Sequence, residues 1–148
     1  MANSGHFSAS FGLNEYSVTH AADLAAHARA AIEIEHLGAR EWAEVSPGVM
    51  GLTGRDELQV LTTWQVPALV SASTTFASKF PRSVVGTPPL FGEGPNLRGV
   101  PLIQFITFPE YLLVGHLPAI TTQFTDYGLM QRQVDAFAEM ARTLDVSQ

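Results

Sequence analysis

Three side chains near the start of the sequence have types and spacing suited to binding a metal ion. His20, Asp23 and His27 stand at i, i+3 and i+7, which places them on one face of a helix. Imidazole and carboxylate groups are competent ligands for several divalent metals. The same spacing is typical of a solvent-exposed polar sector, which we favour because the sequence places no fourth ligand. We therefore predict no metal and no other cofactor.

A second candidate for chemistry, His116, lies within the apolar segment YLLVGHL. An imidazole that faces a pocket can act as a general base, because its pKa is easily moved across neutrality. The alternative is a hydrogen-bonded core histidine, since buried polar groups normally have partners. Tyr111, Asp126 and Tyr127 are further polar candidates that the sequence does not rank.

The composition limits the other kinds of function. The 148 residues include no cysteine, which excludes disulfides, thiolate catalysis and cysteine-ligated zinc or iron–sulfur sites. A net charge of −6, with Lys79 as the single lysine, argues against nucleic acid, whose phosphates require clustered cations. Charged residues make up 15% of the chain against a usual ~25%. We therefore expect part of the surface to lie in a homo-oligomer interface; a monomer covered by Ser, Thr and Gln is the alternative.

The sequence also favours a location in the cytoplasm. Its first residues, MANSGHFSAS, lack the basic and apolar segments of a secretory signal. No run of 18 apolar residues is present, so we expect no membrane span.

Hydrophobic periodicity predicts the elements that would position these side chains. In the first half we expect a strand over 6–13, an alanine-rich helix over 20–37 with further helical turns over 39–45, strands over 48–53 and 57–64 joined by a turn at 54–56, and a helix over 67–80. In the second half we expect a Gly/Pro-rich loop over 81–101, strands over 102–108 and 111–117, and a last helix capped by Thr125 or Asp126.

This order predicts a single α+β domain over residues 1–148 with a ferredoxin-like fold. Its antiparallel sheet would carry helices on one face, and the second face would be covered by another copy. The C-terminal hairpin and helix, over 102–148, would be additions to that core.

One part of the chain consists of the segment PGVMGL, a turn, the strand ELQVLTTW that ends in Trp64, and a helix that begins at Pro67. This part resembles the antibiotic biosynthesis monooxygenase superfamily of dimeric α+β barrels. The resemblance covers residues 6–80. It implies a homodimer whose sheets face each other, with a pocket between sheet and helices in each subunit. Activities in that family include cofactor-free oxygenation of aromatic polyketides and oxidative haem breakdown.

The resemblance also implies a set of site residues. Trp64 would be a pocket wall with its indole N–H aimed at the substrate, or else a core aromatic. Asn14 lies near a functional asparagine of the haem-degrading members, although a turn asparagine is the interpretation we favour. The predicted catalytic residues are therefore Trp64, Asn14 and His116. The predicted substrate-binding residues are Leu58, Val60, Phe76, Phe91 and Tyr111.

We therefore predict a small cofactor-independent monooxygenase-like enzyme acting on an aromatic or polyketide-like apolar molecule. The alternative is a non-catalytic oligomeric binding or structural assembly protein, such as a virion or shell component, which the low charge favours. Haem binding or degradation is less favoured, because no histidine lies between His36 and His116.

Overall fold

A computed structural model describes residues 11–86, 97, 99–109, 111 and 122–146 of the chain. The helices there are α1 (Phe11–Thr19), α2 (Ala21–His27), α3 (Pro67–Ala77) and α4 (Tyr127–Val146), with a 3₁₀ turn at Thr122–Phe124. The strands are β1 (Ala31–Ile34), β2 (Arg40–Ser46), β3 (Val49–Asp56), β4 (Gln59–Thr63), β5 (Ser83–Gly86) and β6 (Leu102–Thr107). Across these ranges no helix combines the length and the apolarity that crossing a membrane requires. The prediction of an α+β fold is confirmed.

Four strands form one mixed sheet in the order β1-β6-β4-β5. β6 and β4 are antiparallel, whereas β1 is parallel to β6 and β4 is parallel to β5. The prediction of an antiparallel sheet is therefore wrong for two of the three strand pairs. The parallel β4–β5 pair arises because α3 connects the two strands and returns the chain to the same end of the sheet, as a crossover helix does.

The core lies between one face of this sheet and the helices α3 and α4. Alternation along β4 and β6 directs Leu61, Ile103 and Phe105 towards the helices, because successive side chains of a strand point to opposite faces. Phe76 of α3 and Phe137 of α4 meet Phe105 there. The centroid of the Phe76 ring lies 5.6 Å from the ring centroid of Phe105 and 4.4 Å from that of Phe137.

Strands β2 and β3 form a separate two-stranded sheet, which we call the arm. The arm turns at Pro47-Gly48, where Gly48 has a φ of +75°, a value that favours glycine. This corrects the predicted pairing of 48–53 with 57–64, because β3 runs on through the expected turn at 54–56 and pairs with β2. The segment over 39–45 is accordingly a strand rather than helical turns.

Two further predictions for the first half are wrong. Residues 11–13 open α1 instead of ending a strand, and Leu13 and Ser17 are buried four residues apart, at helical spacing. The predicted helix over 20–37 ends at His27, and β1 follows it. Its β-branched residues Ile32 and Ile34 suit a strand beside β6, whereas the preceding alanines favour a helix and account for the overlong prediction.

One further prediction is corrected: β5 occupies Ser83–Gly86, within the segment predicted as a Gly/Pro-rich loop over 81–101, because it pairs with β4. The other predicted elements of the described chain are confirmed. β4 ends at Thr63, just before Trp64, and α3 begins at Pro67, where a missing N–H costs nothing. β6 and α4 lie where expected. Asp126 caps α4 through its Oδ1, which accepts the backbone N–H of Leu129 at 2.9 Å; this hydrogen bond lowers the pKa of the Asp126 carboxyl. Tyr111, the first residue of the strand predicted over 111–117, is helical, and the rest of that segment lies outside the described residues.

Gly38 fastens the start of α4 to the rest of the fold. Its N–H donates to Gln133 Oε1 at 2.7 Å, and its carbonyl accepts the N–H of Asp126 at 2.7 Å. Its φ is +70°, and a Cβ at this position would lie 2.7 Å from the Asp126 carbonyl oxygen and 2.9 Å from Met130 Cβ. Only glycine fits this backbone without a shift.

Candidate functional site

A cavity of about 500 Å³ lies where α3 begins and α4 ends, beside β1 at the edge of the sheet. That volume lies within the range of roughly 300–1,000 Å³ typical of small-molecule sites. Most of its wall is apolar, and three charged or titratable side chains join it. The wall consists of Ala28, Ala30, Ile32, Val66, Ala68, Leu69, Ala141 and Leu144, with His27, Arg29 and Asp145.

Small side chains keep this cavity open. The segment that enters β1 contributes Ala28 and Ala30, α3 contributes Ala68 and α4 contributes Ala141. The alanine side chain is a single methyl group, so alanines that face each other leave space that larger residues would fill. The alanine-rich segment for which the sequence predicts one helix over 20–37 therefore supplies part of a cavity wall.

His27 stands at this cavity as the last residue of α2, and Asp23 lies one turn earlier on the same helix. The His27 Nδ1 atom lies 2.9 Å from Asp23 Oδ1 and 3.2 Å from the Asp23 carbonyl oxygen. Both side chains are mostly exposed, at 76% for His27 and 68% for Asp23. The pair therefore lies at the solvent side of the cavity rather than in its interior.

The metal-binding interpretation of this helix face finds no support in the geometry. Asp23 and His27 are paired, but the ring of His20 stacks on Tyr16 with centroids 4.4 Å apart. Within the described ranges, no three His, Cys, Asp or Glu side chains come together as a metal site would require.

Two other cavities border α3. A groove of about 130 Å³ between α3 and α4 has Phe76 in its wall and is bordered by the ion pair of Lys79 with Glu139, at 2.5 Å. A cavity of about 460 Å³ lies on the β5 side of α3, with Thr63, Gln65 and Thr74 among its wall residues. Neither contains a histidine, an aspartate or an arginine in its wall.

The strongest charge cluster of the described chain lies at the base of the arm. The Glu41 carboxylate accepts hydrogen bonds from Thr53 Oγ1 at 2.6 Å, Arg55 Nε at 2.7 Å and an Arg82 guanidinium N–H at 2.5 Å. The Thr53 hydrogen bond, with those of the two arginines, lowers the pKa of Glu41 from 4.5 to about 2 despite partial burial. Because both carboxylate oxygens are already hydrogen-bonded, this cluster fastens the arm to Arg82, the residue before β5, and leaves no group poised for proton transfer.

The structure does not bring the predicted catalytic residues together at the cavity between α3, α4 and β1. Trp64 is half-buried and packs against the core, and its backbone N–H donates to the Leu102 carbonyl at 3.1 Å. None of the three cavity walls described above includes Trp64 or Asn14, which lies half-buried on α1. His116 lies outside the described residues.

The predicted substrate-binding residues are equally dispersed. Phe76 belongs to the core, whereas Val60 points to the opposite face of the sheet, since its neighbour Leu61 faces the helices. Leu58 is 40% exposed in the connection between β3 and β4. Tyr111 is buried against Phe124, with ring centroids 4.6 Å apart, and burial raises the pKa of its phenol. Phe91 lies outside the described residues.

Sequence reasoning missed most of the cavity wall. Asp23 and His27 carried a signal, the i, i+4 spacing of a helical pair, but they were weighed with His20 as possible metal ligands, and an exposed polar sector was favoured. Arg29 and the apolar wall residues carried no local signal, because residues from α2, α3 and α4 meet there only after the chain folds.

Comparison of the chain with models of protein families finds no matching family. Comparisons with curated proteins and with solved structures find no match either.

Proposed function

We propose that this protein is a small cofactor-independent monooxygenase-like enzyme that takes an aromatic or polyketide-like apolar molecule into the cavity between α3, α4 and β1. The observation that carries the proposal is the cavity itself: about 500 Å³, mostly apolar, with His27 and Arg29 in its wall. An apolar pocket with a few polar groups is the usual form of a small-molecule site.

The chemistry that we propose needs a cavity that can hold an aromatic ring, a group that accepts a proton, and a positive charge near the anion that forms. For a substrate such as anthrone, loss of a proton leaves a carbanion that reacts with dioxygen. The net reaction converts anthrone and O₂ to anthraquinone and water. The alanine-lined space would hold the ring, and the Arg29 guanidinium would lie near the developing negative charge.

The proposal is tested by filling the cavity from α4. Ala141 is exposed at the cavity wall, so Ala141→Trp should insert an indole into the space that the ring would occupy. Ala138 is also exposed on α4 but lies outside that wall, so Ala138→Trp is the matched control. We expect wild type and Ala138→Trp to bind anthrone and consume oxygen while forming anthraquinone, and Ala141→Trp to lose both properties.

Equal binding of anthrone by the two tryptophan variants would show that anthrone binds elsewhere and would contradict the proposed site. If wild type binds anthrone but consumes no oxygen, the protein binds the ligand without oxidising it, and the proposed oxygenase activity is contradicted. Oxygen consumption is measured with an electrode, and anthraquinone by its absorbance.

A homodimer in the cytoplasm belongs to the same proposal, with two ferredoxin-like sheets facing each other as in the dimeric α+β barrels. Light scattering tests the dimer directly. A monomer at micromolar concentration would remove the barrel arrangement, while the cavity would still be complete within one chain.

A second candidate function, a structural assembly protein, is favoured by the arm. Its end carries three exposed apolar residues around the Pro47-Gly48 turn, with Val45 at 50%, Val49 at 52% and Met50 at 41% exposure. Projecting apolar residues of this kind are common where proteins associate. Rings or larger assemblies of wild type that dissociate in a Val49→Ser, Met50→Ser double variant would support assembly over catalysis.

A further inference from the structure

The hydrogen bonds around His27 fix which of its ring nitrogens carries the proton. Asp23 Oδ1, at 2.9 Å, and the Asp23 carbonyl oxygen, at 3.2 Å, both lie next to His27 Nδ1. Both atoms are acceptors, since an ionised carboxylate and a peptide carbonyl have no hydrogen to donate. The neutral ring must therefore carry its hydrogen on Nδ1, which leaves the lone pair on Nε2.

We propose that His27 is the general base of the cavity, with Nε2 as the accepting atom and Asp23 as its positioning residue. This inference rests on the proposed function, because it assumes that the cavity holds the substrate. It assigns the substrate class as aromatic molecules with an acidic hydroxyl or an acidic C–H next to a carbonyl. Such molecules have a proton that an imidazole can remove.

The proton transfer balances within the groups at hand. The substrate O–H or C–H bond breaks, its electron pair stays on the substrate, and the proton forms a new N–H bond at His27 Nε2. The resulting imidazolium is paired with the Asp23 carboxylate, so the two side chains together become neutral while the substrate becomes an anion. Since His27 is mostly exposed, the proton can then pass to water.

The other charges of the cavity wall act in opposite directions on that anion. Arg29, two residues beyond His27, attracts it, whereas Asp145 at the end of α4 repels it. The arrangement therefore predicts that an ionisable ring binds with its acidic group towards His27 and Arg29, away from Asp145.

The experiment uses 4-nitrophenol, whose anion is coloured, and naphthalene, which is similar in size and has no ionisable group. Binding of naphthalene is measured by fluorescence, and the ionisation of bound 4-nitrophenol by absorbance as a function of pH. The variants are His27→Gln, Asp23→Asn and the control His20→Gln, which alters an exposed histidine outside the cavity wall. The exposed His27–Asp23 pair contributes little to stability, so its variants should fold.

We expect wild type and His20→Gln to raise the acid dissociation constant of bound 4-nitrophenol about tenfold, a fall of about one pKa unit. His27→Gln should remove most of this change, leaving the part due to Arg29, while binding naphthalene as wild type does. Asp23→Asn should weaken the change, and ¹⁵N NMR should show the His27 hydrogen shared between its two nitrogens instead of held on Nδ1.

Two outcomes overturn the inference, and they differ. If naphthalene binds but His27→Gln leaves the ionisation of 4-nitrophenol as in wild type, His27 is not the base, although the proposed cavity stands. If neither molecule binds wild type, the proposed function fails together with the inference.

Discussion

The space between α3 and α4 is closed at one end and open at the other. At the closed end, Phe76 and Phe137 meet over Phe105, and these residues are at most 5% exposed. At the open end, Ala68 and Ala141 line the cavity of about 500 Å³. The same two helices and the same sheet border both ends.

The difference between the ends comes from side-chain volume rather than from backbone architecture. Three phenylalanines pack against one another at the closed end, while alanines leave the open end unfilled. Stability should therefore reside mainly at the closed end and ligand binding at the open end. Substitutions at each end can test this separation.

The largest effect on stability is expected from Phe76→Ala at the closed end. It removes a ring that contacts Phe80, Phe105 and Phe137 and leaves a void among buried residues. We expect the free energy of unfolding to fall by about 4 kcal/mol. Leu144→Ala, which enlarges the open end, should lower it by only about 1 kcal/mol. Urea titration measures both, and equal losses would contradict the separation.

Gly38→Ala should have the next largest effect, because it disturbs the joint that holds α4 above the closed end. The added methyl group would lie 2.7 Å from the Asp126 carbonyl oxygen, and the φ of +70° disfavours a side chain. We expect a loss of about 3 kcal/mol in the free energy of unfolding. Gly54→Ala is the control: its φ is also positive, at +81°, but its Cβ meets open space. A similar loss in both variants would mean that the positive φ, rather than the contact of the added methyl group with Asp126, causes the loss of stability.

Glu41→Gln tests whether the arm is independent of both ends. It removes a carboxylate held by Thr53, Arg55 and Arg82, and we expect about 2 kcal/mol less stability at pH 7. Because folding lowers the pKa of Glu41 from 4.5 to about 2, its contribution is complete above pH 4.5 and is lost as pH falls towards 2. The stability difference between wild type and variant should shrink over that range. Anthrone binding should remain as in wild type.

The smallest effect on stability is expected from Ala141→Trp at the open end. Its indole enters existing space, so the free energy of unfolding, measured by urea titration, should match that of Ala138→Trp to within about 0.5 kcal/mol. The two variants should nevertheless differ completely in ligand binding. A large loss of stability confined to Ala141→Trp would show that the open end is a tightly packed region rather than a cavity.

The sequence by itself predicted the elements whose signals are local. Pro67 marked the start of α3, Asp126 the start of α4, and a period of 3 and 4 residues marked the apolar stripe of α4. The apolar run over 102–108 predicted β6. In each case a short segment contained the physical reason, whether a cap, a fixed φ or a strong periodicity.

Where the local signal was ambiguous, the tertiary structure decided. Alanine favours a helix, so the local pattern predicted one helix up to residue 37. The end of α2 and the position of β1 depended instead on pairing with β6, which lies about seventy residues later. The partner of β3 depended on the turn at Gly48 instead of the one expected at Gly54. The cavity depended on alanines from three separate segments meeting, which no local pattern contains. His27 and Asp23 were visible in the sequence as a helical pair, but only folding placed that pair beside a cavity.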